Sequence, residues 1–326
     1  MNLTAAISPC PNDVFIFAGL INREVRSEGL EFVFDYQELE TLNRGAIEGR
    51  WDVAKISYAN HISCAKEYRL LRCGGALGRG CGPLLLSNRE ARGEESSCNA
   101  SGARGAAGHG GSGKSGDGSW DPDAEILVPG KRTTANFLLD FYAGNGTAAE
   151  SVAGSMAGPH EGAQGGSPTL RKTFLPFDEL YRRLLGPEPC QGVVIHEMRF
   201  TYAADGLRLV QDLGAYWEAR TGFPIPLGAV AFRERIEAQR PGTAAAVEAA
   251  IRASLAWSYA HPEAALELCR KHSQSMADTV LKSHIDLYVN AFSLDIGAEG
   301  EAAVEFFLSR QRLAEAHSGS ETQSGF

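Results

Sequence analysis

The sequence predicts an α/β fold of two lobes around a cleft, and three observations predict it. Apolar strand-like runs alternate with helix-like runs along most of the 326 residues, the order expected of parallel βαβ units covered by helices on both faces. Glycine-rich apolar stretches near residues 70–87 and 222–233 read as the places where the chain leaves one lobe and later returns. Polar residues gather at the ends of the predicted strands, where open α/β sheets hold their ligands.

The elements follow in order. LTAAI (3–7) predicts a strand, SPCPND a turn and DVFIFAGLI a short apolar helix. LEFVFDY is the next strand. In ELETLNRGAIEG, Leu39, Leu42, Ala46 and Ile47 recur at helical spacing and Gly49 marks the stop. DVAKIS (52–57) is a short strand that runs into a helix over YANHISCAKEY, and LLRCGGALG with GPLLLS reads as a pair of strands crossing to the second lobe. Strand AEILVPG and helix TTANFLLDFYAG come next, then strand RKTFLPF, helix DELYRRLLG and strand QGVVIHE, which continues as MRFTY. GFPIPLGAVAFR carries the chain back. The remainder is helical: Val247, Ile251, Leu255 and Tyr259 mark one face, Pro262 starts the next helix, and a third lies near Ala277 to Phe292. One lobe is therefore expected to comprise residues 1–87 and 223–326, and the other residues 88–222.

Two stretches, at about 92–120 and 144–170, hold 16 of the 37 glycines and almost no large apolar side chain. They bury too little apolar surface to offset chain entropy and read as flexible insertions. GHGGSGKS (108–115) in the first matches the phosphate-loop pattern letter for letter. Neither neighbour supplies the buried strand or the helix that such a loop needs, so the match is read as accidental.

Thirty-one Lys and Arg against 40 Asp and Glu give a formal charge of −9 with no basic stripe. That balance argues against nucleic acid or an anionic membrane surface as partner and points to a small molecule. MNLTAAISPCPNDVF lacks the features of a secretory signal, and no apolar run is long enough to span a bilayer, so a soluble cytoplasmic protein is expected. The seven cysteines (Cys10, Cys64, Cys73, Cys81, Cys98, Cys190, Cys269) contain no C-x-x-C pair and no Cys/His cluster at metal-ligand spacing; reduced thiols and no metal site are expected. Composition does not speak to oligomeric state.

Four strand ends carry chemistry. Ser8 with Asn12, Lys55 with Ser57, and Thr133 with Thr134 fall in turns that open helices, whose unpaired amides suit a carboxylate or several hydroxyls. Each also has the residue type of an ordinary helix cap. His196, followed by Glu197, ends the apolar run Gly192 to Ile195, and its imidazole titrates near neutrality, as proton transfer requires. Adjacent strand residues face opposite ways, which argues against Glu197 orienting that ring.

SPCPNDVFIF, ETLNRGAIEG, VAKISY, LRCGGALGRGCGPLL, VPGKRTTANFLL, GVVIHEMRFTY, DLGAYWEARTGFPIPLGA and YVNAFSLDIGAEGE, in that order, resemble the 1,4-dihydroxy-6-naphthoate synthases of the futalosine route to menaquinone. The resemblance covers nearly the whole chain outside the two insertions. It implies the type II periplasmic-binding-protein fold, two α/β lobes with the active site between them, and a lyase that releases 1,4-dihydroxy-6-naphthoate from cyclic dehypoxanthine futalosine without redox cofactor or metal. By matching motif it implies His196 as proton acceptor, and Lys55, Ile56 and Ser57, with Thr134 and Ala135, as substrate-binding segments. A chorismate dehydratase of the same pathway and fold, and a non-catalytic solute-binding protein, are the alternatives.

Overall fold

The computed structural model describes residues 1–27, 29–89, 120–144, 170–273 and 277–321. Most of both insertions, including the whole phosphate-loop match, lies outside the described residues. Trp120, expected within the first insertion, packs edge-on against Tyr142 with ring centroids 5.3 Å apart.

The first sheet is laid down by β1 (Asn2–Ile7), α1 (Pro11–Ile21), β2 (Glu31–Tyr36), α2 (Leu39–Ile47), β3 (Val53–Ser57), α3 (His61–Cys64), β4 (Tyr68–Leu70) and β5 (Ala76–Gly78). The chain then builds a second sheet with β6 (Leu84–Ser87), β7 (Glu125–Val128), α4 (Thr134–Tyr142), β8 (Arg171–Phe174), α5 (Phe177–Leu184), β9 (Gln191–Val194), α6 (Met198–Thr201), β10 (Arg208–Asp212) and α7 (Leu213–Thr221). It returns through β11 (Ile225–Arg233) to α8 (Glu234–Gln239), α9 (Thr243–Ala260), α10 (Pro262–His272), α11 (Asp278–Tyr288), α12 (Ala291–Leu294) and α13 (Gly297–Glu321). Strand order is β2-β1-β3-β11-β4, with β5 also on β11, in one sheet and β10-β6-β9-β7-β8 in the other.

Both sheets are mixed, where strand and helix alternation had predicted parallel ones. β1 runs parallel to β2 and β3, and β7 to β8 and β9. The exceptions are the crossing strands: β11 is antiparallel to β3, β4 and β5, and β6 to β9 and β10. A strand that enters a sheet directly from the other lobe starts at the end where the βαβ strands finish, so it must run against them. LLRCGGALG and GPLLLS are accordingly not paired with each other, and Leu84–Ser87, expected in the first lobe, belongs to the second sheet. The crossing falls at residues 79–83, where the backbones of Gly82 and Gly214 meet so closely that a Cβ on Gly82 would come within 2.4 Å of the Gly214 Cα.

Sequence and local structure differ at three further places for identifiable reasons. YANHISCAKEY forms a 3₁₀ turn and the four-residue α3, because Tyr58 and Tyr68 are both drawn into the core. MRFTY is a short helix because His196 turns the chain with φ 60°. The β10–α7 unit has no counterpart among the elements expected from periodicity, although Asp212 caps α7 by accepting from the Gly214 and Ala215 amides and Gly222 ends it with φ 73°.

Two packing arrangements position the cleft. α1 is apolar on nearly every side and buried against α9, α10 and β2, which fixes its N-terminus at the end of β1. Phe137 of α4, Trp217 of α7 and Phe307 of α13 form an aromatic cluster with centroids 4.6–6.1 Å apart, tying the second-sheet helices to the last helix of the chain. Among the described residues no helix is long and apolar enough to cross a membrane.

Candidate active site

A cleft lies between the two sheets. Its wall is mostly apolar, from Leu39, Ile56, Ala76, Pro83, Ile195 and Leu227, with polar groups from the ends of β1, β3 and β9 and the start of α4. All five residues expected to bind or act there besides Ala135, namely His196, Lys55, Ile56, Ser57 and Thr134, line it, and Ala135 does so as well.

The most buried charges in the wall are Lys55 and Asp13. Their side chains are 4 % and 3 % exposed, and Lys55 Nζ donates to Asp13 Oδ1 at 2.5 Å and to the Gly74 carbonyl at 3.0 Å. The other carboxylate oxygen accepts from Ser8 Oγ at 2.7 Å, and Asn12 Nδ2 donates to Oδ1 at 2.9 Å. Ser8 and Asn12, singled out as strand-end residues, thus serve Asp13 rather than one another. A carboxylate so surrounded satisfies the lysine charge without water, the condition on which a buried pair is tolerated.

β3 ends at Ser57, whose backbone N–H donates to Asn43 Oδ1 at 2.9 Å while its Oγ accepts from Asn43 Nδ2 at 3.1 Å. The Ser57 amide is therefore occupied, contrary to the expectation that amides around Ser57 hold the ligand; its hydroxyl proton remains as the donor. Thr133 is the N-cap of α4, accepting from the Asn136 amide at 3.2 Å. Thr134 and Ala135 follow as the first two helical residues, and their amides have no acceptor within the helix. The Thr134 hydroxyl donates to the Leu227 carbonyl at 3.1 Å and lies 3.3 Å from that of Pro226. It ties α4 to β11, which leaves the amides of α4 as the groups offered to an anion.

His196 is one of two non-glycine residues with positive φ among the described residues, at 60°. The left-handed region costs a side chain about 1–2 kcal/mol, a strain that persists where neighbours enforce it. Arg199 supplies part of that enforcement, donating to the Gly82 carbonyl and to Asp212 at 2.6 Å each and so holding the turn against the crossing segment. The half-buried imidazole stands edge-on to Phe177 with centroids 5.3 Å apart, and its Nδ1 is 3.4 Å from Cys10 Sγ. Burial pushes its pKa down; the Cys10 sulfur, then Glu197 and Glu38, push it up and prevail, bringing it to about 9. Glu197 thus acts on the ring through charge.

That balance makes a measurable statement. In Cys10→Ala the largest raising contribution is gone while burial remains, so the His196 titration, followed by the imidazole NMR signals, should move to lower pH. An unchanged titration would show that Cys10 does not set it.

Comparison with known proteins decides the family. The family model described as menaquinone biosynthesis matches residues 3–160 and 162–312. The chain belongs to that family. Among its relatives, the 1,4-dihydroxy-6-naphtoate synthase of Thermus thermophilus is 41 % identical over 93 % of this chain and 91 % of its own length. The enzyme of the same name from Streptomyces coelicolor is 34 % identical over 94 % and 92 %. In three dimensions, the protein AF1704 from Archaeoglobus fulgidus superposes with a TM-score of 0.75 at 25 % identity, covering 97 % of this chain and 98 % of that one. The periplasmic aliphatic sulphonate binding protein SsuA from Escherichia coli, at 12 % identity and a TM-score of 0.56 over 95 % and 87 %, shares the fold alone. This family member therefore has the periplasmic-binding-protein architecture, two α/β lobes.

Reading the sequence missed Asp13, described above, and three further residues that the fold brings to the site. Cys10 sits in the flagged SPCPND turn, yet only the tertiary structure puts it against His196, 186 positions away. Asn43 falls on the helix face marked by Leu39, Leu42, Ala46 and Ile47, and a polar amide among those apolar positions was the available signal. His284 lies in α11, far from any strand end, and stacks on His196 at a centroid distance of 6.5 Å.

Proposed function

We propose that this protein is a carbon–carbon lyase that converts cyclic dehypoxanthine futalosine to 1,4-dihydroxy-6-naphthoate in menaquinone biosynthesis, with His196 accepting the proton whose loss starts the cleavage. The observation that carries this reading is His196 itself, held at the end of β9 in a left-handed conformation with its ring at a largely apolar cleft. The curated relatives that bear the naphthoate synthase name support the reaction class.

The chemistry asks for little beyond positioning and one proton transfer. Loss of the sugar-derived fragment requires a proton to be removed so that its electrons can complete the aromatic ring, and aromatisation supplies the driving force. Apolar walls fit a fused ring system; the free amides of Thr134 and Ala135, with the Ser57 hydroxyl, hold its carboxylate and oxygens. Lys55 and Ile56 shape the wall beside them, the lysine with its charge already matched by Asp13.

Incubation with cyclic dehypoxanthine futalosine should yield 1,4-dihydroxy-6-naphthoate, and chorismate should be left unchanged. Turnover of chorismate instead would transfer the protein to the dehydratase reading, and turnover of neither with tight ligand binding would make it a binding protein.

A further inference from the structure

His284 carries no role in the reaction outlined above, and its surroundings assign it one. The side chain is 1 % exposed and forms part of the cleft wall. The sequence of contacts behind it fixes its tautomer. Asp13, paired with Lys55, can only accept, so Asn12 must turn its Nδ2 toward Asp13 Oδ1, 2.9 Å away. The Asn12 carbonyl oxygen is then the atom 3.0 Å from His284 Nε2, and that nitrogen must be the protonated one. Nδ1 is left as a bare lone pair, buried, with no hydrogen-bond partner among the described residues. A buried acceptor left unmatched is costly, and such an atom in a native structure calls for a partner.

From this geometry we infer that His284 Nδ1 accepts a hydrogen bond from a hydroxyl of the bound ring system and so selects ligands that carry an O–H there. The inference rests on the naphthoate reading. It deepens that reading by naming which group recognises the oxygenated ring. The groups assigned above to holding the ligand, the Ser57 hydroxyl and the Thr134 and Ala135 amides, offer protons to ligand oxygens. None of them distinguishes a hydroxyl from a carbonyl, because both accept. A lone pair does distinguish them, since only the hydroxyl can donate to it. The acceptor also stays an acceptor: burial first, then the charge on His196, holds the His284 pKa down at about 3. Tyr288, with ring centroids 4.6 Å apart, and Phe200, at 6.5 Å, also pack against the ring.

Two probes and two variants test this. 1,4-Dihydroxy-6-naphthoate carries the hydroxyls, and 2-naphthoate has the same ring and carboxylate without them. His284→Gln keeps an amide near the Nε2 position, facing Asn12, and removes the Nδ1 acceptor; His284→Asn places an amide oxygen near the Nδ1 position instead. In calorimetric titration, His284→Gln should weaken the diol about five- to a hundredfold and leave 2-naphthoate unchanged. His284→Asn should recover part of the loss. In the wild type, the ¹⁵N resonance of His284 Nδ1 should move on adding the diol and stay in place with 2-naphthoate, a readout that depends on no variant folding. Equal weakening of both probes, or a still Nδ1 resonance in saturated enzyme, overturns the inference and leaves the naphthoate reading standing. A wild type that binds neither probe overturns both.

Discussion

His196→Asn should lower turnover of cyclic dehypoxanthine futalosine by about 10²- to 10⁴-fold, the usual contribution of a positioned general base. Affinity for the naphthoate product should change little, because the groups assigned to holding it belong to β3, α4 and α11. The pH profile separates this loss from a structural one. With the pKa of the free protein raised to about 9, His196 is protonated at neutral pH and becomes a base only as the proton leaves. kcat/KM should therefore climb about tenfold per pH unit toward that value, then level off. The limb should be absent in His196→Asn. A variant that retains both the rate and the limb would reduce His196 to a residue that turns the chain after β9.

Asp13→Asn should produce a large loss of stability. It removes the counter-charge of Lys55 and leaves an ammonium group buried beside the Gly74 carbonyl. Breaking a buried pair in this way costs about 3–5 kcal/mol. Lys55→Met in the same chain removes the orphaned charge, so the double variant should unfold at a higher urea concentration than Asp13→Asn alone. Two equal midpoints would mean that the pair is weakly coupled. Asp13 also fixes the Asn12 amide, so the single variant should loosen the orientation of His284.

Much of the site was legible in the sequence because strand ends have a local signature. An apolar run that stops at a polar residue before a helix start marks a cleft position, and β1, β3, β9 and the start of α4 were found in this way. What could not be read was which of these groups is already committed. Ser8, Asn12 and the Ser57 amide are capping-type groups in either reading; only their partners, Asp13 and Asn43, show that they are internal to the protein.

The sequence by itself determined the α/β class, the order of most elements, the two crossing regions and the family resemblance, since periodicity, turn residues and contiguous motifs are properties of neighbours in the chain. It also determined His196 as the candidate base. Tertiary structure alone decided the antiparallel direction of β6 and β11, the meeting of Cys10 with His196, and the bare lone pair of His284. Each depends on contacts across 100 residues or more, where strand direction, a ring's proton and a thiol's neighbour are set by what packs against them, which no local pattern encodes.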